Sequence, residues 1–374
     1  MTEINIISFD VPFPANYGGV IDVFYRVKYF HNKGIKVHLH CYEYGRGKQD
    51  QLDKYCASVN YYKRKKGVQS HLSALPFIVK SRISKRLKTN LLKNDFPILF
   101  EGLHCCYLLN DSDFKNRFKI VRNHNIEHNY YNELANIEQQ KIKKTYFKTE
   151  AKKLKKFEPI LKNANLCLAI SETDLAYFKK KYPKTNSVFV PGFHANENIS
   201  AKPGKGDYVL YHGNLSVAEN VNAATFIIKK LFKDSKIPLI ISGLNPNKEL
   251  IQFIKGYKNI TLIKNPSNKK MDELIANAQI NLLYTEQATG LKLKLLNVLY
   301  NGRHCIVNPK MVEGTSLGKL CLIEQNITEL KNSIKTTFNL EFTQEEIETR
   351  KILLEREYAN ETSYLKIIEA FKAE

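Results

Sequence analysis

One pattern constrains the fold of this chain more than any other. Short apolar runs of strand length alternate with segments of helical periodicity from end to end. Residues 280–314 show it best. The run 280–284 is apolar and short enough to be a strand, and residues 285–290 form a polar loop. Residues 291–301 place Leu291, Leu295, Val298 and Leu299 on one helical face. Gly302 suits the left-handed position that ends a helix, and 304–308 is a second apolar run, stopped by Pro309. Strand, loop, helix and strand at this length predict a parallel βαβ unit.

Strand-length runs recur at 4–9, 37–42, 59–62, 97–100, 118–122, 166–170 and 188–190, and again at 208–211, 238–242, 260–263, 280–284, 305–307 and 320–323. Helical segments separate most of them. The expected fold class is α/β, with two Rossmann-like doubly wound parallel-sheet domains facing a central cleft. The Gly- and Pro-rich stretch 191–207 reads as the linker. We therefore expect domains at 1–192 and 193–357, with a C-terminal helix at about 358–374 packing back on the first. Ligands of such sheets lie outside the carboxyl ends of the strands.

Several loops at those ends carry groups suited to a phosphate. In the helix predicted at 291–301, Lys292 and Lys294 fall in the first turn, where the helix dipole disfavours cations unless an anion sits there. Free backbone N–H groups and two ammonium groups would then converge on that anion. Gly213, Asn214, Leu215 and Ser216 follow the run 208–211 and precede another helix, which offers amides and a hydroxyl for the same purpose. In the first half, residues 10–19 follow the first strand, and Gly18 and Gly19 allow close backbone approach to a ligand. His124 stands where the run 118–122 ends. His124, Glu127 and His128 match the spacing of an inverted zinc-peptidase motif, but that motif needs both histidines on one helix, and His124 falls at a strand end. No metal is expected.

A net charge of +21 implies negatively charged partners. Nucleic acid is not expected, because no zinc-finger, RRM or KH signature is present. An anionic membrane surface fits the charge, with two candidate contacts. One is a basic interfacial helix at 72–93, and the other is the lysine cluster from Lys141 to Lys156 on a helical stretch running to about 163. No apolar run approaches the roughly 18 residues of a membrane span. Glu3 precedes a strand-like run rather than a signal peptide, and the seven cysteines show no metal-type pairing. These features predict a cytoplasmic protein, peripheral on the inner face of a membrane.

In its order and spacing of motifs the chain resembles the retaining glycosyltransferases of the GT-B fold, family 4. The resemblance rests on the loop 12–19, on His124, and on Leu168, Ala169, Ile170, Ser171 and Glu172 with Asp174. It rests further on Val190, Pro191 and Gly192, on 213–216, on 290–296, and on Glu313 with Gly314. It implies a nucleotide-sugar co-substrate, such as a UDP- or GDP-sugar, bound by the second domain without a metal or other cofactor. It implies a glycan or lipid-linked glycan acceptor on the first domain. By the same resemblance His124 lies beside the donor sugar, and Gly18 and Gly19 approach the phosphates or the acceptor. Lys292 or Lys294 would then face the diphosphate, with Gly213, Asn214, Ser216, Gly290 and Leu291 as further donor-binding residues.

The family pattern is also broken in places. Asn214 and Glu219 stand where the family has Arg and Lys, and Thr289 and Asn297 stand where it has two glutamates. Asn297 can still hydrogen-bond a ribose hydroxyl, and Thr289 can hold the sugar through its backbone or hydroxyl. The same changes suit a catalytically idle relative that only binds the sugar nucleotide or glycan.

Overall fold

The computed structural model describes residues 1–286 and 293–373. It divides into two compact units, Met1–Ala195 with Glu357–Glu374, and Asn196–Arg356.

The first unit holds seven strands: β1 (Glu3–Ser8), β2 (Lys36–Glu43), β3 (Ser58–Lys63), β4 (Ile98–Glu101), β5 (Lys119–Asn123), β6 (Leu166–Ala169) and β7 (Asn186–Phe189). They pair in parallel in the order β3-β2-β1-β4-β5-β6-β7. Helices cover both faces, so the central strands are apolar on both sides. In β1, Ile4 and Ile6 pack into one core cluster and Ile7 into the other. The buried Asn5 amide in the same strand is satisfied, donating to Asn94 Oδ1 at 2.8 Å. The helix Asn360–Lys372 belongs to this unit. It buries Ile367 and Ala370 in the core, and Phe371 packs edge-on against Phe118 at 4.8 Å.

The second unit holds β8 (Val209–His212), β9 (Leu239–Gly243), β10 (Ile260–Lys264), β11 (Ile280–Leu283), β12 (His304–Val307) and β13 (Leu322–Ile323), all parallel, in the order β10-β9-β8-β11-β12-β13. All thirteen expected strands form. In each sheet the strand order reverses once, between β1 and β4 and between β8 and β11, and such reversal points are where doubly wound sheets bind ligands.

Two helical expectations are corrected. Residues 72–93 do not form one interfacial helix. They make the short helices Phe77–Lys80 and Lys85–Leu91, whose Ile78, Leu87 and Leu91 are core residues. The apolar face there is already buried. The long helical stretch after β5 is two helices, Glu127–Ile137 and Lys141–Phe157, continued by a tighter turn at Glu158–Asn163. Glu158 fastens this region through one buried carboxylate. It accepts hydrogen bonds from Tyr177 (2.7 Å), Lys181 (2.6 Å) and Tyr182 (2.8 Å), and pairs with His128 Nδ1 at 2.9 Å. Burial alone would push its carboxyl up, but the bonds from His128, Lys181 and the two tyrosines outweigh it and hold the value at about 2.

Candidate functional site

In the first unit the carboxyl ends of β1, β4 and β5 bring together Phe9, Glu101 and His124. Phe9 lies edge-on to His124, with ring centroids 5.5 Å apart, and at the same separation from His104. A Cβ on Gly19 would meet Phe9 Cζ at 2.5 Å, whereas one on Gly18 would meet nothing within 4 Å. Gly19 is therefore needed to seat Phe9 against His124, and Gly18 faces open space. Both open the helix Gly18–Asn32, whose first turn has no acidic residue and no side-chain cap. Its leading N–H groups thus lack the usual side-chain partner.

His124 is held between two buried carboxylates. Its Nε2 is 3.0 Å from Glu101 Oε2 and its Nδ1 is 3.9 Å from Asp22 Oδ2. Asp22 accepts from Arg122 Nε at 2.9 Å and from the Phe193 amide at 2.7 Å, and Arg26 lies 3.6 Å away. Arg26 also pairs with Glu101, and Arg122 reaches the Val190 and Pro191 carbonyls. Burial would raise the Asp22 carboxyl, but Arg122, Arg26 and His124 outweigh it and hold the group well below the usual carboxylate range. Ligand atoms of Asp22, Glu101 and His124 lie within 4.8 Å of one another. Both carboxylates already face guanidinium groups, so this trio is a poor seat for a cation.

The zinc-type spacing dissolves in three dimensions. His124 turns to Glu101 and His128 to Glu158, while Glu127 lies 3.8 Å from His104 Nδ1. That last contact has the geometry of an ion pair, yet burial pushes both partners toward their neutral forms. Glu127 rises to about 8, and His104 falls well below its ordinary value. We take the pair as neutral acid and neutral imidazole, because both groups are enclosed and Arg82 already supplies a nearby positive charge. The native state then keeps a proton that the unfolded chain loses above about pH 4.3. Its stabilising effect is full below that pH and is lost as the pH rises through about 8. Glu127→Gln removes this dependence, so the melting temperature of the variant should gain on the wild type between about pH 5 and pH 8. A constant difference across that range contradicts the assignment.

In the second unit Lys294 extends over the end of β8, 5.9 Å from the Tyr211 ring, and its charge bears on His212. Burial, then Lys294, lowers His212 to about 3, and its buried Nε2 has no hydrogen-bond partner. Lys294 and the 213–216 loop therefore share one region, at the β8/β11 reversal.

The loop differs from expectation in one respect. The Gly213 amide donates to Ser242 O at 3.1 Å, and the Ser216 amide donates to Asn214 Oδ1 at 3.1 Å, so these N–H groups are committed internally. Ser216 Oγ also donates to Asn214 Oδ1, at 2.7 Å. The Gly213 carbonyl abuts Gly243, where a Cβ would run into it. Asn297 is likewise engaged, with Asn301 Nδ2 donating to its Oδ1 at 2.8 Å and a further bond to Asp272. Thr289, Gly290, Leu291 and Lys292 lie outside the described residues. Glu219 opens the helix Ala218–Ile227 and accepts a hydrogen bond from the Thr285 hydroxyl, tying the loop after β8 to the one after β11.

Sequence reading missed Asp22, Arg26, Glu101 and Arg122. The available signal was charge inside apolar segments, Glu101 closing ILFE and Asp22 with Arg26 one helical turn apart in an apolar helix.

No protein-family model matches the chain. An uncharacterized 44.6 kDa protein in the cps region of Klebsiella pneumoniae is 27% identical over 339 residues, which cover 84% of this chain and 85% of that protein. Among solved structures, HepE of Anabaena in complex with UDP and glucose superposes with a TM-score of 0.68 at 11% identity, covering 100% of both chains. Sucrose-phosphate synthase from Thermosynechococcus elongatus gives 0.68 at 13% identity, covering 100% of this chain and 99% of that one. With its two parallel-sheet domains and these neighbours, the chain has the GT-B fold.

Proposed function

We propose that the protein is a retaining glycosyltransferase of the hexosyltransferase type, which moves a sugar from a nucleotide-diphosphate donor to a hydroxyl of a glycan. The observation that carries this reading is the position of Lys294, a cation over the end of β8 where the strand order reverses. The structural neighbour holding UDP and glucose and the relative in a cps region support it. In the proposed reaction the bond between the anomeric carbon and the phosphate oxygen breaks. The acceptor oxygen bonds to that carbon on the same face, and its proton passes to the leaving phosphate oxygen. Lys292 and Lys294 stabilise the charge that builds on the diphosphate, so no metal is required. His124, fixed by Glu101 and Asp22, orients the donor sugar.

A second reading is favoured by Glu219, a carboxylate where the family has a cation: a relative that binds the sugar nucleotide or glycan without turnover. Nucleotide release from a panel of UDP- and GDP-sugars with lipid-extract acceptors separates the two. Acceptor-dependent release supports the transferase, and binding without release supports the idle relative.

We further propose a lipid-linked acceptor at an anionic membrane surface, with assembly of a polysaccharide or glycoprotein glycan as the setting. Exposed Lys141, Lys143 and Lys148 beside Ile142, which is 86% exposed, supply charge and an apolar tip. No helix among the described residues is long and apolar enough to cross a membrane. Flotation with anionic vesicles checks this, and equal recovery with neutral vesicles contradicts it.

A further inference from the structure

Among the described residues of the first unit, Arg64 and Arg82 are neighbouring guanidinium groups for which no carboxylate partner is found. Arg82 is 6% exposed. Its Nε and Nη2 donate to Phe9 O at 3.0 and 2.9 Å, and its Nη1 donates to Ile78 O at 2.6 Å. Arg64, half-buried, donates from Nε and Nη2 to Ser81 Oγ at 3.3 and 3.0 Å, and lies over the Tyr44 ring at 4.3 Å and the Phe77 ring at 5.6 Å. Neither group forms an ion pair among the described residues. The acids nearby do not serve: Asp10 is taken by Tyr17 and Arg46, and Glu127 is kept protonated by burial.

A guanidinium has five N–H donors, so each of these keeps N–H groups to spare. Burial and then the charge of Arg64 lower Arg82 to about 10, so the two cations destabilise each other. An enclosed charge is costly unless it is paired. Arg82 grips the carbonyl of Phe9, at the carboxyl end of β1, and such ends are where doubly wound sheets receive ligands. The guanidinium fork matches a phosphate or carboxylate. Tyr44, 55% exposed, adds an aromatic face beside it.

We infer that Arg64 and Arg82 form a subsite for an oxyanion on the acceptor, so that the acceptor is a glycosyl phosphate or an acidic glycan. This rests on the transferase reading given above.

The test is calorimetry on the full chain with excess UDP. Phenyl phosphate probes the phosphate source and methyl β-glucuronide the carboxylate source. We expect at least one probe to bind the wild type. Arg64→Gln should weaken that binding at least tenfold, and Arg64→Lys, which keeps the charge but loses the fork, by an intermediate factor. Lys180→Gln, an equal loss of charge on the exposed face of the helix Glu172–Lys181, should change it less than twofold. Binding of phenyl phosphate alone identifies a glycosyl phosphate, and binding of the glucuronide alone an acidic sugar. The inference is overturned if neither probe binds, or if Arg64→Gln has no more effect than Lys180→Gln. UDP and GDP affinities are measured separately in each protein. Failure of both to bind the wild type removes the transferase reading, whereas normal nucleotide binding with an unchanged probe response removes only the oxyanion subsite. Arg64 carries the test because Arg82 also anchors backbone, and its replacement is open to misfolding.

Discussion

Changing Lys292 and Lys294 together to alanine should lower the rate of sugar transfer at least about a hundredfold, since loss of one well-placed donor to a developing negative charge typically costs about 2–4 kcal/mol of transition-state stabilisation. Lys294 supplies the structural ground. It stands over the end of β8, close enough to His212 to help drive that imidazole to its neutral form. The effect should fall mainly on kcat, because negative charge on the diphosphate grows as the glycosidic bond breaks. Single variants divide the loss between the two lysines. Unchanged turnover in the double variant, with the fold intact by circular dichroism, contradicts the role given to this helix start.

The largest expected effect on stability comes from Asp22→Ala. The carboxylate is fully buried and accepts from Arg122 and the Phe193 amide, with Arg26 beside it. Removing it strands buried guanidinium charge, which typically costs about 3–5 kcal/mol. For a unit of this size that corresponds to a drop in melting temperature on the order of 10 °C. The pH dependence has a definite sign. Asp22 is held below its ordinary range in the fold, so its stabilising contribution is present above the unfolded value near 3.9 and is lost as the pH falls through the lowered native value. The wild-type advantage over Asp22→Ala should therefore persist from neutral pH to about pH 4 and shrink only in stronger acid. A variant as stable as the wild type at neutral pH contradicts this reading of the cluster.

The strands were legible because burial on both faces leaves mostly apolar runs such as Ile4–Ile7 and Ile280–Leu283, each broken only by one buried asparagine, Asn5 or Asn281. The sites of helix interruption were not, since those depend on partners distant in sequence. Lys141–Phe157 is a separate helix from Glu127–Ile137, and what gathers that region is Glu158, which His128, Tyr177, Lys181 and Tyr182 reach from both sides of it in the chain. Residues 72–93 looked interfacial because lysines and arginines alternate with leucines. The core instead takes Ile78, Val79, Leu87 and Leu91, with Arg82 buried beside them, while Leu72 and Leu92 stay exposed.

At the candidate site, the positions of His124 just after β5 and of Lys294 in the first turn of the helix Leu293–Asn301 could be read from residue type and spacing. The carboxylates that hold His124 could not, because Asp22 and Glu101 lie 79 positions apart in the chain and meet only through the pairing of β1 with β4. The engagement of the Gly213 and Ser216 amides was equally hidden, since it depends on β9 and on the turn made by Asn214.

The central claim is that the end of β8, with Lys294 above it, receives a nucleoside diphosphate. Calorimetric titration of UDP and GDP into the wild type and into Lys294→Ala tests it most directly. At least one of the two nucleotides should bind the wild type, and the variant should bind it at least tenfold more weakly. Failure of both to bind, or equal affinity in the variant, would contradict the account.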